Sequence, residues 1–520
     1  MKDAARAPRE PIPVIDLFAG PGGLGEGFSQ VRTGYGAYAF RLCLSIEKDA
    51  AAHRTLELRS MYRWFRGRTV PEIYWEYVAG RKSREELVCH PTMAEAVAHA
   101  RKEARCAELG VTPQSEIDAW IEQAIGGRQD WVLLGGPPCQ AYSLVGRARQ
   151  SRKPRAEFER DHRHLLYEEY LRIVRTFHPA VFVMENVKGL LSATYAGEKM
   201  FQRICSDLSL AAASSGHQYQ IRSFVVAKQS PDPRDFVIRA EEYGVPQARH
   251  RVILLGVRDD LSARSHKTLR RCRQKHGVGS VLGMLPPLRS SLSRGADSHE
   301  AWLKELKQTP KFLRGISSEL KALISPSIHE ALKRAEKIDA TGGRFVPRTD
   351  SAPAKREQLF TWLRREEPSG WLNHEARSHM PADLRRYLFA ATYAQAKDCS
   401  PKVTDFPLLL RPDHKNVARA DDMGAIPFAD RFRVQRAELP STTVVSHIAK
   451  DGHYFIHYDP AQARSLTVRE AARLQTFPDN YFFEGNRTEQ FIQVGNAVPP
   501  YLAFQLGRIV RDLMSLTRKR

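Results

Sequence analysis

The chain has 520 residues, 42% of them hydrophobic, and carries 80 Lys+Arg against 59 Asp+Glu for a formal charge of +21. That length predicts two or three domains, and that charge predicts an anionic partner, nucleic acid before any other. No run of about 18 apolar residues occurs, and the opening MKDAARAPREPIPV has no apolar signal core, so a soluble intracellular protein without a membrane helix is expected.

The first predicted element is a β run, PVIDLFAG (13–20). GLGEGFSQV (23–31) reads as the helix after it, and YAFRLCLSIEKD (38–49) as a second strand ending in acids. Between them, the stretch from Gly20 to Gly25 literally matches G-x-G-x-x-G, in the strand–turn–helix setting of a nucleotide-type site. Glu47 ends the second strand, where a carboxylate can hold both ribose hydroxyls. NAD, FAD and S-adenosylmethionine all fit this pattern, and Asp16 with the kink at Pro21 favours the last. Tight-turn glycines that hold no ligand are the plainer reading.

The segment from about 51 to 129 is longer than one crossover needs. Its MYRWFRGR (61–68) and IYWEYV (73–78) interleave arginines with aromatics. That suits nucleic-acid contact by phosphate pairing and stacking. It suits an amphipathic insertion packed on the sheet equally well. A third strand, WVLLGG (131–136), runs into Pro137, Pro138 and Cys139. The prolines stop the strand and fix the direction in which the thiol leaves it. The seven cysteines (43, 89, 106, 139, 205, 272, 399) are scattered with no C-x-x-C pair, which argues against a zinc knuckle or a disulfide framework. Cys139 is then filler or nucleophile.

A helix, LLYEEYLRIVRTF (165–177), leads to a fourth strand, AVFVMENV (180–187); a fifth is HRVILLGVR (250–258). Apolar strands alternating with helices predict an α/β fold, a doubly wound and mainly parallel Rossmann-like sheet with ligands at the carboxyl ends of its strands. From about 259 to 430 the alternation disappears. Leu261 to Ala420 holds 30 Lys+Arg and 16 Asp+Glu, a net of +14. This reads as a separate basic domain, with a merely solvated surface as the bland alternative. REAARLQTF (469–477) is then a helix, and VGNAVPPYLAFQLGRIV (494–510) is a turn entering a terminal helix.

Cys139, Glu185 in MENVKGL, and Arg249 and Arg251 in YGVPQARHR all flank sheet strands, so they can meet at one rim beside the glycine loop. A thiol, a carboxylate and two arginines suit chemistry on an electron-poor ring. Thiolate addition at C6 of cytosine makes C5 nucleophilic, a carboxylic acid near N3 stabilises the adduct, and an arginine can hold O2.

The ordered motifs DLFAGPGGLGEGF (16–28), SIEKD (45–49), GGPPCQAYS (135–143), DHRHLLY (161–167), MENV (184–187), YGVPQARHR (243–251), LPSTTV (439–444), LTVREAARLQTFPD (466–479) and QVGNAVPP (493–500) resemble the DNA (cytosine-5)-methyltransferase family, in particular bacterial restriction-modification or solitary enzymes. The resemblance implies methyl transfer from S-adenosylmethionine to C5 of a specific cytosine in double-stranded DNA, by base flipping and a covalent Cys–C6 intermediate, with S-adenosylhomocysteine as product and no metal. It implies Cys139 as nucleophile, Glu185 as the acid at N3 and N4, and Arg249 and Arg251 as the pair one of which holds O2. Phe18, Gly20, Pro21, Gly22, Gly23, Glu47, Lys48, Pro138, Leu166, Asn496 and Ala497 match cofactor contacts. The implied division is a catalytic domain over 1–258 with the insertion at about 51–129, a target-recognition domain over 259–430, and a part over 431–520 that completes the catalytic domain. Gly146 and RARQSRKPR (147–155) fit a loop closing over an extruded base. A monomer in the bacterial cytoplasm, acting on double-stranded DNA alongside a cognate restriction endonuclease, is the matching expectation.

Tyr142 replaces the family's usual Phe, a mild departure. The insertion obscures the acid that contacts adenine N6, leaving Asp118 and Glu108 as candidates. Three other readings stay open: the same chemistry on tRNA, which the large basic segment disfavours; an inactive DNA-binding subunit, which the intact Cys139, Glu185 and Arg251 disfavour; and an NAD oxidoreductase, supported by the glycine loop alone.

Overall fold

The computed structural model describes residues 10–138, 165–195, 198–262, 265–348, 357–366, 368–412, 429–450 and 452–515. Cys139, Tyr142, Gly146, the basic stretch 147–155 and the DHRH part of the fourth motif (161–164) lie outside the described residues.

The main sheet is built from β1 (Ile12–Leu17), β2 (Phe40–Glu47), β3 (Ala104–Cys106), β4 (Val132–Gly135) and β5 (Val181–Val187). After a small pair, β6 (Thr194–Tyr195) and β7 (Glu198–Lys199), the sheet continues with β8 (Tyr219–Ser223), β9 (Val237–Arg239) and β10 (His250–Arg258). The order is β3-β2-β1-β4-β5-β10-β8, with β9 alongside β10. The first five strands are parallel. β10 runs antiparallel to β5, and β8 and β9 antiparallel to β10. The result is a mixed, parallel-dominated α/β sheet. Its antiparallel edge was hidden in the sequence because an apolar run such as HRVILLGVR carries no sign of its direction.

Both faces are covered, so apolar residues run consecutively along the central strands up to the polar groups at their carboxyl ends. Val14, Val132, Leu134, Val183 and Leu255 pack on one side. Ile15, Leu17, Leu133, Met184 and Leu254 pack on the other. The first face is roofed by the helix Gly23–Ser29 and the terminal helix Pro500–Ser515. These two helices touch closely: a Cβ on Gly27 would lie 2.4 Å from Ala503 Cβ and 2.5 Å from Pro500 O. The second face is covered by the helices Gln114–Ile125, Leu165–Phe177 and Met200–Ser209.

The insertion begins with the helix Ala50–Trp64 and forms its own aromatic core of Tyr62, Phe65, Tyr74 and Tyr77. Two of its arginines turn inward. Arg59 is 3% exposed and Arg63 9%, both pairing with the buried Glu26. Of the two sequence readings of MYRWFRGR and IYWEYV, the packed one describes Arg63 and the core aromatics, which are not presented to a phosphate backbone, while Arg68 is exposed.

Residues 259–430 carry a two-stranded antiparallel pair, β11 (Gly342–Pro347) with β12 (Gly370–Glu375), and the helices His299–Lys307, Ser318–Ala335 and Pro381–Lys397. Trp302, Ile328 and Leu388 form their core together with Phe432, Ile456 and Ala463. The chain therefore still contributes to this unit well beyond residue 430, the boundary expected from loss of β/α alternation.

Candidate active site

The site is assembled at the carboxyl ends of β1, β2, β4 and β5. β1 hands over to Phe18, held at φ 54°, and then to Gly20 at φ 55°. A Cβ on Gly20 would meet nothing within 4 Å, so the backbone there faces open space. Positive φ at both positions turns the chain sharply, a conformation that glycine adopts at little cost and Phe18 does not. Glu47 at the end of β2 reaches across and accepts the Gly20 N–H at 2.8 Å and the Asp49 N–H at 2.9 Å. Burial raises its carboxyl above the ordinary range, against those two backbone donors. Asp16, wholly buried, accepts the Gly25 N–H at 3.1 Å through Oδ2. Its Oδ1 has no partner among the described residues. Burial lifts the Asp16 carboxyl to about 7, since ionisation inside the protein lacks water's solvation.

The loop is supported from behind. A Cβ on Gly22 would lie 2.7 Å from Leu56 Cδ2 and 3.1 Å from Tyr481 Oη, and one on Gly23 only 2.2 Å from Val498 O. Tyr481 donates a hydrogen bond to Pro21 O. Val498 seated on Gly23 carries Asn496 and Ala497 to the loop; Asn496 is exposed and Ala497 buried. Sequence reading missed Tyr481, whose only signal was its place two residues after the LTVREAARLQTFPD motif.

Beyond β2, Lys48 pairs with Glu108 at 2.9 Å. These two line a pocket with Asp49, Cys106, Ala107 and Thr112. Leu166 Cδ2 lies 3.9 Å from where a Cβ on Gly110 would stand. The two candidate adenine acids are thereby separated. Glu108 borders the pocket, whereas Asp118 lies on the helix Gln114–Ile125 with its oxygens 2.8 and 3.1 Å from Arg172 Nη1.

At the neighbouring strand ends, β4 runs into Gly136, Pro137 and Pro138, the last described residue before Cys139. A Cβ on Gly136 would lie 3.1 Å from Glu185 Oε2. Asn186 Nδ2 is 3.5 Å from Pro137 O, which ties the strand-ending corner to β5. In the β5–β10 ladder Ile253 opposes Glu185 and Arg251 opposes Val187. Arg251 and Glu185 are thus diagonal neighbours on one face, within reach of long side chains, and they form an ion pair at 2.8 Å.

Arg249 does something else. It is 2% exposed and donates to Val444 O at 2.8 Å and to Gly495 O at 3.2 Å. Burial, with the Arg251 charge adding to it, pushes its proton affinity well down. Beside it, Gln247 accepts the Val444 N–H at 2.9 Å and donates to Leu474 O at 3.1 Å. The two arginines that stand together in sequence thus divide: Arg249 ties LPSTTV and QVGNAVPP to the sheet, and Arg251 meets the carboxylate.

The family model for C-5 cytosine-specific DNA methylases matches residues 107–511. The chain is 31% identical over 517 residues to the type II methyltransferase M.Bpa9945I of Bacillus paralicheniformis, covering 96% of this chain and 99% of that one. It is 25% identical to the DNA (cytosine-5-)-methyltransferase M.ApeKI of Aeropyrum pernix, over 96% and 98%. Among solved structures, a prophage-encoded E. coli protein assigned as a DNA modification methyltransferase superposes with a TM-score of 0.54 at 17% identity, covering 97% of this chain and 99% of that one, a likeness of fold. The chain therefore belongs to the C-5 cytosine-specific DNA methylase family, as a DNA cytosine-C5 methyltransferase of the restriction-modification type.

Proposed function

We propose that the enzyme methylates an extruded cytosine through a covalent Cys139–C6 adduct, with Glu185 and Arg251 as the groups that hold and activate the ring. The observation that carries this is the placement of the Glu185 carboxylate. It lies against Gly136, three residues before Cys139, and is paired with Arg251. A ring seated there with N3 toward Glu185 places O2 toward the guanidinium. The Cys139 sulfur adds to C6, a proton shared between Glu185 and N3 offsets the negative charge arriving there, and C5 becomes the nucleophile. After methylation the C5 proton leaves to a base and the sulfur departs from C6, restoring the aromatic ring. Arg249, enclosed and bound to two carbonyls, acts as the anchor of the C-terminal return.

S-adenosylmethionine supplies the electrophilic methyl group when bound. The residues present fit it. The Glu47 carboxylate stands at the end of β2 for the ribose hydroxyls, the open backbone at Gly20 admits a close approach, and the unpartnered Asp16 Oδ1 can accept from an ammonium group. In this reading Phe18, Pro21 to Gly23, Lys48, Pro138, Leu166, Asn496 and Ala497 complete the cofactor contacts. Glu108 takes the role of the adenine-contacting acid in preference to Asp118. The basic residues of 259–430 recognise double-stranded DNA; the enzyme works as a monomer in the bacterial cytoplasm, beside a cognate endonuclease.

The test is a comparison of Cys139→Ser and Glu185→Gln with the parent chain. Both variants are expected to bind DNA and cofactor. Cys139→Ser should leave co-expressed DNA unmethylated, and Glu185→Gln should methylate slowly, since an amide cannot supply the proton. Bisulfite sequencing that finds full cytosine methylation by Cys139→Ser contradicts the reading.

A further inference from the structure

The helix that follows the glycine loop carries a carboxylate with no exposure at all, Glu26. A lone buried carboxylate is costly, and this one meets three guanidiniums from two distant segments. Arg59 holds it through two bonds, at 3.0 and 2.8 Å, and Arg63 approaches to 3.6 Å, both from the insertion. Arg365, from the segment between LLGVR and LPSTTV, donates to the same Oε1 that Arg59 Nη2 contacts. Burial opposes ionisation of Glu26, but Arg59, Arg365 and Arg63 outweigh it and hold the carboxyl below its ordinary range.

This cluster is fixed to the loop on one side. The Glu26 N–H donates to Gly22 O at 2.8 Å, so the residue that the arginines hold is bonded directly to the left-handed Gly22. Arg59 stacks over Tyr481, whose hydroxyl donates to Pro21 O. On the other side Arg365 is anchored against the C-terminal part, where the indole N–H of its neighbour Trp362 donates to Thr476 O at 2.8 Å. The Arg365 guanidinium lies 3.7 Å over the Trp362 ring, and its carbonyl accepts from Asn480 Nδ2 at 3.1 Å.

We propose that Arg365 is a positioning residue for the cofactor loop: reaching in from the recognition segment, it fixes Glu26 and through it the Gly20–Gly23 backbone, so that the seating of that segment sets cofactor affinity. The proposal rests on the reading of that loop as the S-adenosylmethionine site. Arg365 is the informative residue because Arg59 and Arg63 still neutralise Glu26 in its absence, and the fold keeps its charge balance.

The experiment is calorimetry of S-adenosylhomocysteine binding to the full chain carrying Arg365→Met, Arg365→Lys or, as reference, Glu47→Ala. Arg365→Met should raise Kd at least about fivefold, and Arg365→Lys should recover part of the loss. In turnover the KM for cofactor should rise, while kcat at saturating cofactor and the KM for DNA hold within about twofold. A folded Arg365→Met chain with unchanged Kd overturns the proposal, as does a lowered kcat with Kd and KM intact. Should Arg365→Met not fold, an unchanged Kd in Arg365→Lys overturns it. If Glu47→Ala weakens binding and the Arg365 variants do not, the inference fails alone; if Glu47→Ala also binds normally, the cofactor reading fails with it.

Discussion

At the scale of single residues, two carboxylates near the glycine loop make separable predictions. Glu47 accepts two backbone N–H groups and faces the open side of the loop. Glu47→Ala should weaken S-adenosylmethionine binding by about 1–3 kcal/mol, the scale of a lost hydrogen bond to a charged group, and calorimetry measures it directly. Asp16 is different because burial lifts its carboxyl from 3.8 to about 7. A folded-state value above the unfolded one means that stability is fully present below pH 4 and is lost as pH rises toward 7. Asp16→Asn has no such loss. The stability of Asp16→Asn relative to the parent should therefore climb between pH 4 and 7 and level off above, by up to about 4 kcal/mol. A stability difference that stays flat across that window in paired denaturation curves contradicts a buried, neutral Asp16. The strand-end positions of Glu47 and Glu185 were legible because the apolar runs before them mark where the strands stop. The division of labour between Arg249 and Arg251 was not, since two arginines one residue apart at the start of β10 find opposite surroundings only once the neighbouring chain is folded around them.

At the scale of elements, β1, β2, β4, β5 and β10 were legible from their apolar runs, whereas the short β3, β8 and β9 carry too few apolar residues to announce a strand. HRVILLGVR and LLYEEYLRIVRTF appear in the fold with the bounds expected, as β10 and the helix Leu165–Phe177. Direction was not legible, because antiparallel β10 is as apolar as its parallel neighbours. The insertion was ambiguous for a related reason: Arg-aromatic interleaving describes a nucleic-acid surface and a packed ion-pair layer equally well. The partner that decides, Glu26, lies 33 residues before Arg59. Close helix contact also left only a faint trace, a glycine. Gly27→Ala should destabilise the chain by about 1–3 kcal/mol, the range for overpacking, because its methyl would collide with Ala503 and Pro500 O. Thermal unfolding of the purified variant checks this, and an unchanged midpoint contradicts the observed contact between the helices Gly23–Ser29 and Pro500–Ser515.

At the scale of the whole molecule, the charge excess noticed first in composition acquires an address. Two-thirds of it, +14 of +21, falls between Leu261 and Ala420, while the insertion's Arg59 and Arg63 are used internally. DNA affinity should therefore fall steeply with salt, with a log–log slope of several units. Replacing exposed basic residues of 261–420 should reduce that slope, while replacing Arg59 or Arg63 should cost stability instead; titrations at several salt concentrations separate the two. The central claim remains the covalent step, and one measurement tests it most directly. On DNA carrying 5-fluorocytosine at the target, fluorine occupies the position of the departing proton, so elimination stops after methyl transfer and the enzyme stays attached. Mass spectrometry of the denatured complex formed with S-adenosylmethionine should find the DNA linked to Cys139, with the methyl group on C5. An adduct mapped to any other residue, or turnover that leaves no adduct, contradicts the account.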